Sequence, residues 1–296
     1  MAVKTALLAL ALAVVTGSAS AQDDRADKLD EIKERGRVEI AVYDSFPPWS
    51  YKAESGGYTG IDVDIAKALG DKLGVSTTIN AFPADESMGD DIRNMVWKGH
   101  YIGRKPADAM LHVGMAPSFQ AENDQATFLG AYYNETMGFV YDAERFGADV
   151  DSPLALAGNK IGVQLDTLGD FYLTSAFQGQ LRDDVEHFKS VPEAMRAFNK
   201  GELAGVMAPL GELRGAVNML ENENIDIRQV QLTGLYQNDW DVGLAIKAGN
   251  PELAQALGEA MTELRDSGRL EEIFNDYGVP YRSPTGPESA QSTAGR

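Results

Sequence analysis

The segment Gly56-Gly-Tyr-Thr-Gly-Ile-Asp-Val-Asp-Ile-Ala-Lys-Ala-Leu69, continued by Gly70-Asp-Lys-Leu-Gly74 and Val75-Ser-Thr-Thr-Ile-Asn80, decides the fold. Its glycine-rich opening marks a turn, because clustered glycines punctuate regular structure. Ile61, Ile65, Leu69 and Leu73 then recur at helical spacing and predict a helix over 61–73, and 75–80 reads as a β run. Just upstream, Leu29, Ile32 and the stem of Lys33 share a helical face over 27–35, Gly36 ends it, and 38–42 alternates as a strand. Helix, strand, helix, strand in that order predicts a parallel sheet with helical crossovers. The intervening 43–51 carries Phe46-Pro-Pro-Trp49, which cannot continue a central strand and is expected to be a loop.

Outward from this core the alternation continues. A helix is expected over 88–98, a strand over 107–113, and a long extended stretch from 128 through 141 that is a candidate hinge. A second alternation follows: strand 160–164, helix 168–177, strand 185–188, helix 191–199, strand 203–207, helix 211–220 and a β run over 225–232. After Trp240 a strand over 242–246 and helices over 251–267 and 269–275 close the fold, and 281–296, rich in Ser, Pro and Gly, is expected to be a disordered tail.

Composition sets the partners. The chain has 296 residues, with 26 Lys and Arg against 45 Asp and Glu, a net charge of −19. No basic stripe rises above this background, which argues against nucleic acid and anionic membrane surfaces as partners. Hydrophobic residues at 44% suffice for a sizeable core. Lys4, the apolar run 6–15 and Ala19-Ser-Ala21 read as an export signal over 1–21. The chain has no cysteine, which removes disulfides, thiolate nucleophiles, cysteine-ligated zinc and a lipidation site. A soluble periplasmic protein is expected. Dinucleotide, Walker A, zincin and nucleophile-elbow motifs are absent from the sequence. With only His100, His112 and His187, and acids at 85, 86, 90 and 91 that lack EF-hand spacing, no metal and no cofactor is expected.

Several segments resemble family 3 of the periplasmic solute-binding proteins, those of polar amino acid importers. They are 29–36 with Phe46-Pro-Pro-Trp-Ser-Tyr51, the run 57–69, Gly130-Ala-Tyr-Tyr133, Lys160-Ile-Gly-Val-Gln164, and 242–253 with 268–274. The resemblance implies an α/β fold of the two-lobed periplasmic binding protein type (type II). Each lobe would be a mostly parallel sheet flanked by helices, with two hinge crossovers between them. Lobe 1 would take 22–135 plus 241–280 and lobe 2 136–240. The activity would be capture of a small molecule by hinge closure.

Carried over residue by residue, the family's stacking aromatic falls on Phe46 or Trp49, with Tyr51 a further candidate. Trp49 has an equally good reading as a core plug. Gly114-Met115-Ala-Pro-Ser118 occupies the place of the family's Gly-Met followed by Thr or Ser, so Met115 is a candidate, but the arginine that grips a ligand carboxylate is missing. His112 stands where the family has Ser, either in the cleft or as a satisfied core histidine. Leu165-Asp166-Thr167-Leu168 replaces Gly-Thr-Thr, leaving Thr167 to cap the helix, and Ala208-Pro-Leu210 replaces the ammonium-binding acid. Asp166 or Asp241 would then receive a cation and Arg104 an anion. Trp97, His100 and Tyr101 lie in an extended segment, 84–104, read as a solvent-facing elaboration or a cleft wall. Losing one member of a buried charge pair costs roughly 2–5 kcal/mol, so an ordinary α-amino acid is a poor candidate ligand.

Three functions follow from these residues. The first is a monomeric receptor delivering a small molecule to an inner-membrane ABC permease. The alternative is an accessory protein of a quinoprotein alcohol or methanol dehydrogenase system, with a dehydrogenase or cytochrome as partner. The third, an enzyme on the same fold, has only His112, Glu122 and Asp166 to offer as acid or base. The leading expectation is binding without catalysis.

Overall fold

The computed structural model describes residues 27–101, 103–220, 224–234 and 238–286. The expected export signal at 1–21 lies outside them. None of the described helices is long and apolar enough to cross a membrane.

The first half builds α1 (Lys28–Arg35), β1 (Arg37–Tyr43), the short ribbon β2 (Tyr51–Lys52) and β3 (Tyr58–Thr59), α2 (Ile61–Leu73), β4 (Ser76–Phe82), α3 (Met88–Ile92), β5 (Ala109–Gly114) and α4 (Pro117–Glu122). Strands β4, β1 and β5 are parallel neighbours, as the alternation requires. The quoted segment folds as read. Ile61, Ile65 and Leu69 of α2 are fully buried, and Gly74 ends the helix in the left-handed conformation. Gly60, at φ +127°, is obligatory: a Cβ there would lie 2.3 Å from the Trp49 carbonyl oxygen. That close approach lets Ile61 N–H donate to Pro48 C=O (3.0 Å) and Asp62 N–H to Trp49 C=O (2.9 Å). The first turn of α2 thus holds the Phe46–Trp49 loop in place.

β6 (Ala126–Asp142) is a single 17-residue strand shared by both halves of the molecule. Its first part pairs antiparallel with β11 (Asp239–Lys247) and its second with β9 (Gly205–Pro209) and β10 (Ile225–Gln229). Between lie α5 (Ala143–Phe146), β7 (Ile161–Gln164), α6 (Leu168–Ser175), β8 (Val185–Phe188), α7 (Val191–Asn199) and α8 (Leu210–Asn218). Strands β9, β7 and β8 are parallel. Each half therefore has a parallel core, and the antiparallel pairs gather where the long strands cross. Separate apolar cores fill the two halves, one around Trp49, Leu244 and Phe274, the others around Phe139, Val163 and Leu213. Two final helices, α9 (Pro251–Asp266) and α10 (Arg269–Asp276), return to the first half. Asp27 caps α1 through Leu29 N–H and also accepts from Glu252 and Leu253 N–H at the start of α9.

Three expectations need correction. The helix over 88–98 changes to π geometry at Arg93–Trp97. The helix over 168–177 stops at Ser175, and Phe177–Gly179 forms a 3₁₀ turn with Gln178 in the left-handed region. The tail does not begin at 281: Arg282 receives the Asn134 N–H on its carbonyl and donates to the Asn134 carbonyl, and Thr285 and Gly286 N–H donate to Asp241. Residues 281–286 are held because β6 and β11 offer them polar groups at the crossing. Positions 287–296 lie outside the described residues.

Candidate functional site

A cavity of about 400 Å³ opens between the two halves. Phe46 enters it from the first half, Met137 and Trp240 from the crossing strands, and the second half supplies Gln164, Thr167, Leu168, Val191, Met207 and Glu212. Its size and mostly apolar walls suit a small organic ligand. Among the described lining residues Glu212 is the sole ionisable side chain.

Glu212 stands in the first turn of α8 and is 6% exposed. Burial, and then the neighbouring Glu135 carboxylate, push its pKa up to about 8. Glu135 is fully buried on β6, and burial pushes it up to about 7, opposed by the N–H groups of Thr136 and Gly211, then by His112 and Arg282. Its carboxylate receives the Thr136 N–H (2.8 Å) and the Gly211 N–H (3.2 and 3.3 Å). Glu135 thus caps α8 from the crossing strand, while Glu212 beside it has no hydrogen-bond or salt-bridge partner among the described residues.

The same helix is where the two halves touch. A Cβ on Gly211 would meet Trp49 Cζ2 at 2.5 Å, and one on Gly215 would meet Pro48 Cγ at 2.5 Å. One turn further, Asn218 packs on Gly278. Glycines at helical spacing let the Pro48-Trp49 loop rest directly on the α8 backbone.

Of the residues chosen from sequence, Phe46 and Thr167 line the cavity. Trp49 is fully buried, packed against His112 (ring centroids 4.6 Å), Tyr133 (5.3 Å) and Phe274 (5.9 Å). It is a core plug reaching across to α8, and its Nε1 has no hydrogen-bond partner among the described residues. His112 is the residue passed over by a bulge: Gly243 pairs with Val113 and Leu244 with Leu111. Its Nδ1 faces Asp62 Oδ2 at 3.1 Å, and Tyr132 O–H donates to Asp62 Oδ1 at 2.6 Å. That network, with Asp62 fully buried, joins α2, β5 and β6 and braces Phe46, whose ring meets His112 edge-on at 4.9 Å.

The others lie away from the cavity. Tyr51 pairs with Thr59 in the β2–β3 ribbon, and Met115 packs on Gly243. Asp241 accepts from Asn134, Thr285 and Gly286 and is spent on the C-terminal segment. Arg104 donates to the Ala81 carbonyl, and Trp97 packs beside the core near Ile92. Thr167 caps α6, accepting the Asp170 N–H, while exposed Asp166 gives its own N–H to Asp170 Oδ2 (3.0 Å). Asp170 Oδ1 in turn faces His187 Nε2 at 2.9 Å. The first turn of the helix whose N-terminus would serve a ligand anion already carries the protein's own Asp170 carboxylate.

Sequence reading missed Glu212 and Trp240. Glu212 lies just past the Ala208-Pro-Leu210 stretch that lacks the expected acid, and the signal was its place in the first turn of the following helix. Trp240 was treated as a boundary, although an aromatic at a chain crossing between two alternations is a natural cleft residue.

Fold and cavity together define a two-lobed α/β binding protein of type II, with the crossing strands as hinge. Residues 38–96 match the model of the bacterial extracellular solute-binding proteins, family 3. The chain is similar to that family over this segment, at a distance. It is 22% identical over 271 residues to the L-cystine-binding protein TcyJ of Escherichia coli (strain K12), covering 90% of this chain and 92% of that one. A cyclohexadienyl dehydratase of Pseudomonas aeruginosa matches at 40% identity over 74 residues, 25% of this chain and 26% of the other. Among solved structures, an ancestral cationic amino acid solute-binding protein superposes with a TM-score of 0.66 at 19% identity, over 85% of this chain and 99% of that one.

Proposed function

We propose that the chain is an exported, monomeric receptor that captures a small molecule between its lobes by hinge closure and delivers it to an inner-membrane ABC permease, and that its ligand is not an ordinary α-amino acid. Lobe 1 comprises 22–135 with 241–280, lobe 2 comprises 136–240, and the protein works in the periplasm without a catalytic step. The observation that carries this reading is the cavity itself. No arginine or lysine lines it among the described residues, and the first turn of the adjoining α6 carries the Asp170 carboxylate. A ligand carboxylate enclosed there would be desolvated without a partner, at a cost of several kcal/mol. His112, Glu122 and Asp166, the acids and bases suggested by sequence, do not line the cavity, and His112 is tied to Asp62 in the structural network.

A thermal-shift screen tests it. A ligand at 100 times its Kd stabilises by about 2.7 kcal/mol. L-Arginine, L-cystine and the other standard amino acids at 1 mM are expected to leave the melting temperature unchanged, while organic compounds without the α-amino acid group raise it. A large shift with a standard amino acid would overturn the reading.

A further inference from the structure

We propose that the cavity selects a monocationic amine with an apolar body and no carboxylate, held by Glu212 as its counter-ion and packed among Phe46, Trp240, Met137 and Met207. This rests on the receptor reading above and names the ligand class of that same site.

Three observations converge. Glu212 is 94% buried, lines the cavity and has no hydrogen-bond or salt-bridge partner among the described residues. A buried carboxyl in that state lacks the group that would compensate its charge. Second, the charge around it is negative. Glu135 on β6 is the charged group acting directly on Glu212, while His112 from β5 and Arg282 from the C-terminal segment act on Glu135, whose oxygens are taken up by backbone N–H groups. A second anion is repelled there, and an ammonium group relieves both acids. Third, the remaining lining is apolar apart from Gln164 and Thr167, and the Thr167 hydroxyl is committed to the Gln164 carbonyl at 2.7 Å.

The arrangement couples binding to a proton. With its pKa at about 8, Glu212 is protonated in the empty cavity at neutral pH, and an incoming ammonium takes the proton's place. No covalent bond changes: the carboxyl O–H gives its proton to solvent, and the ligand stays protonated.

The test is calorimetry on the mature wild-type protein with phenethylamine, cyclohexylethylamine and tryptamine, with phenethyl alcohol and tryptophol as neutral isosteres and L-phenylalanine and L-tryptophan as zwitterions. Titrations run in two pH 7 buffers of different ionisation enthalpy and again at pH 6 and 7.5. At least one amine is expected to bind, releasing close to one proton at pH 7 and gaining at least tenfold in affinity from pH 6 to 7.5. The alcohols and amino acids are expected to bind at least 30-fold more weakly. Glu212→Gln, checked for folding by circular dichroism, is expected to lose at least 30-fold in amine affinity together with the proton release. Alcohols binding as well as amines without proton release would overturn the amine assignment and leave the receptor reading standing. Tightest binding by the amino acids would overturn both. Failure of every amine would overturn the assignment, and proton release from the wild type decides the matter even if the variant does not fold.

Discussion

At the scale of single residues, the chemistry of this protein is set by where two glutamates stand. Both Glu135 and Glu212 have pKa values raised above the ordinary 4.5, to about 7 and about 8. An acid whose folded pKa is raised favours the folded state when protonated. Its stabilising contribution is therefore complete below about pH 4.5 and is lost as pH rises through 7 to 8. For Glu212 the full difference, from a pKa of 4.5 to one of about 8, amounts to about 5 kcal/mol. The free protein should be less resistant to urea at pH 8.5 than at pH 6, and Glu212→Gln should flatten that dependence. An unchanged slope in the variant would mean that the acid is solvated. Sequence could name Phe46 and Thr167 as cavity residues because the loop and the helix cap are local signals. It could not choose between Trp49 as a ring for a ligand and Trp49 as a plug, since that depends on Tyr133, Phe274 and Gly211, all distant in the chain.

At the scale of elements, α8 carries the contact between lobes. Its face of Gly211, Gly215 and Asn218 receives Trp49, Pro48 and Gly278. The leucine side chain of Gly215→Leu would collide with Pro48 while leaving both apolar cores untouched, so each lobe should fold and the closed form should lose its seat. Closure is favoured only by the contacts it adds. We expect a larger radius of gyration by small-angle X-ray scattering and about a tenfold loss of ligand affinity, roughly 1.4 kcal/mol. Wild-type scattering and affinity in this variant would show that closure does not use this face. The helices and strands were mostly legible because apolar spacing is dictated by burial on one side. The π turn at Arg93–Trp97 was not, since helical periodicity does not reveal one extra residue in a turn.

At the scale of the whole molecule, β6 runs through both lobes, β11 pairs with its first part, and the C-terminal segment braces the two strands. Arg282 donates to the Asn134 carbonyl and side chain on β6 and to Gln229 on β10, while Thr285 and Gly286 hold Asp241 on β11. A chain ending at Tyr281 loses these contacts and leaves Asn134 and Asp241 short of partners. It should unfold at lower urea concentration, with a loss of about 1–3 kcal/mol. An unchanged midpoint would show that the segment only rests on the surface.

The amino-acid sequence by itself determined the alternation of helix and strand, the turn at Gly60, the loop bearing Phe46 and the absence of the ligand-gripping arginine. Each of these follows from residues close together in the chain, through spacing, φ preference or side-chain identity. Only the tertiary structure decided that Glu212 lines the cavity without a partner among the described residues, that Asp170 meets His187, and that His112 and Asp241 are spent on structure. Those outcomes depend on which groups from remote segments desolvate or neutralise one another, and a charge acquires its role from its surroundings.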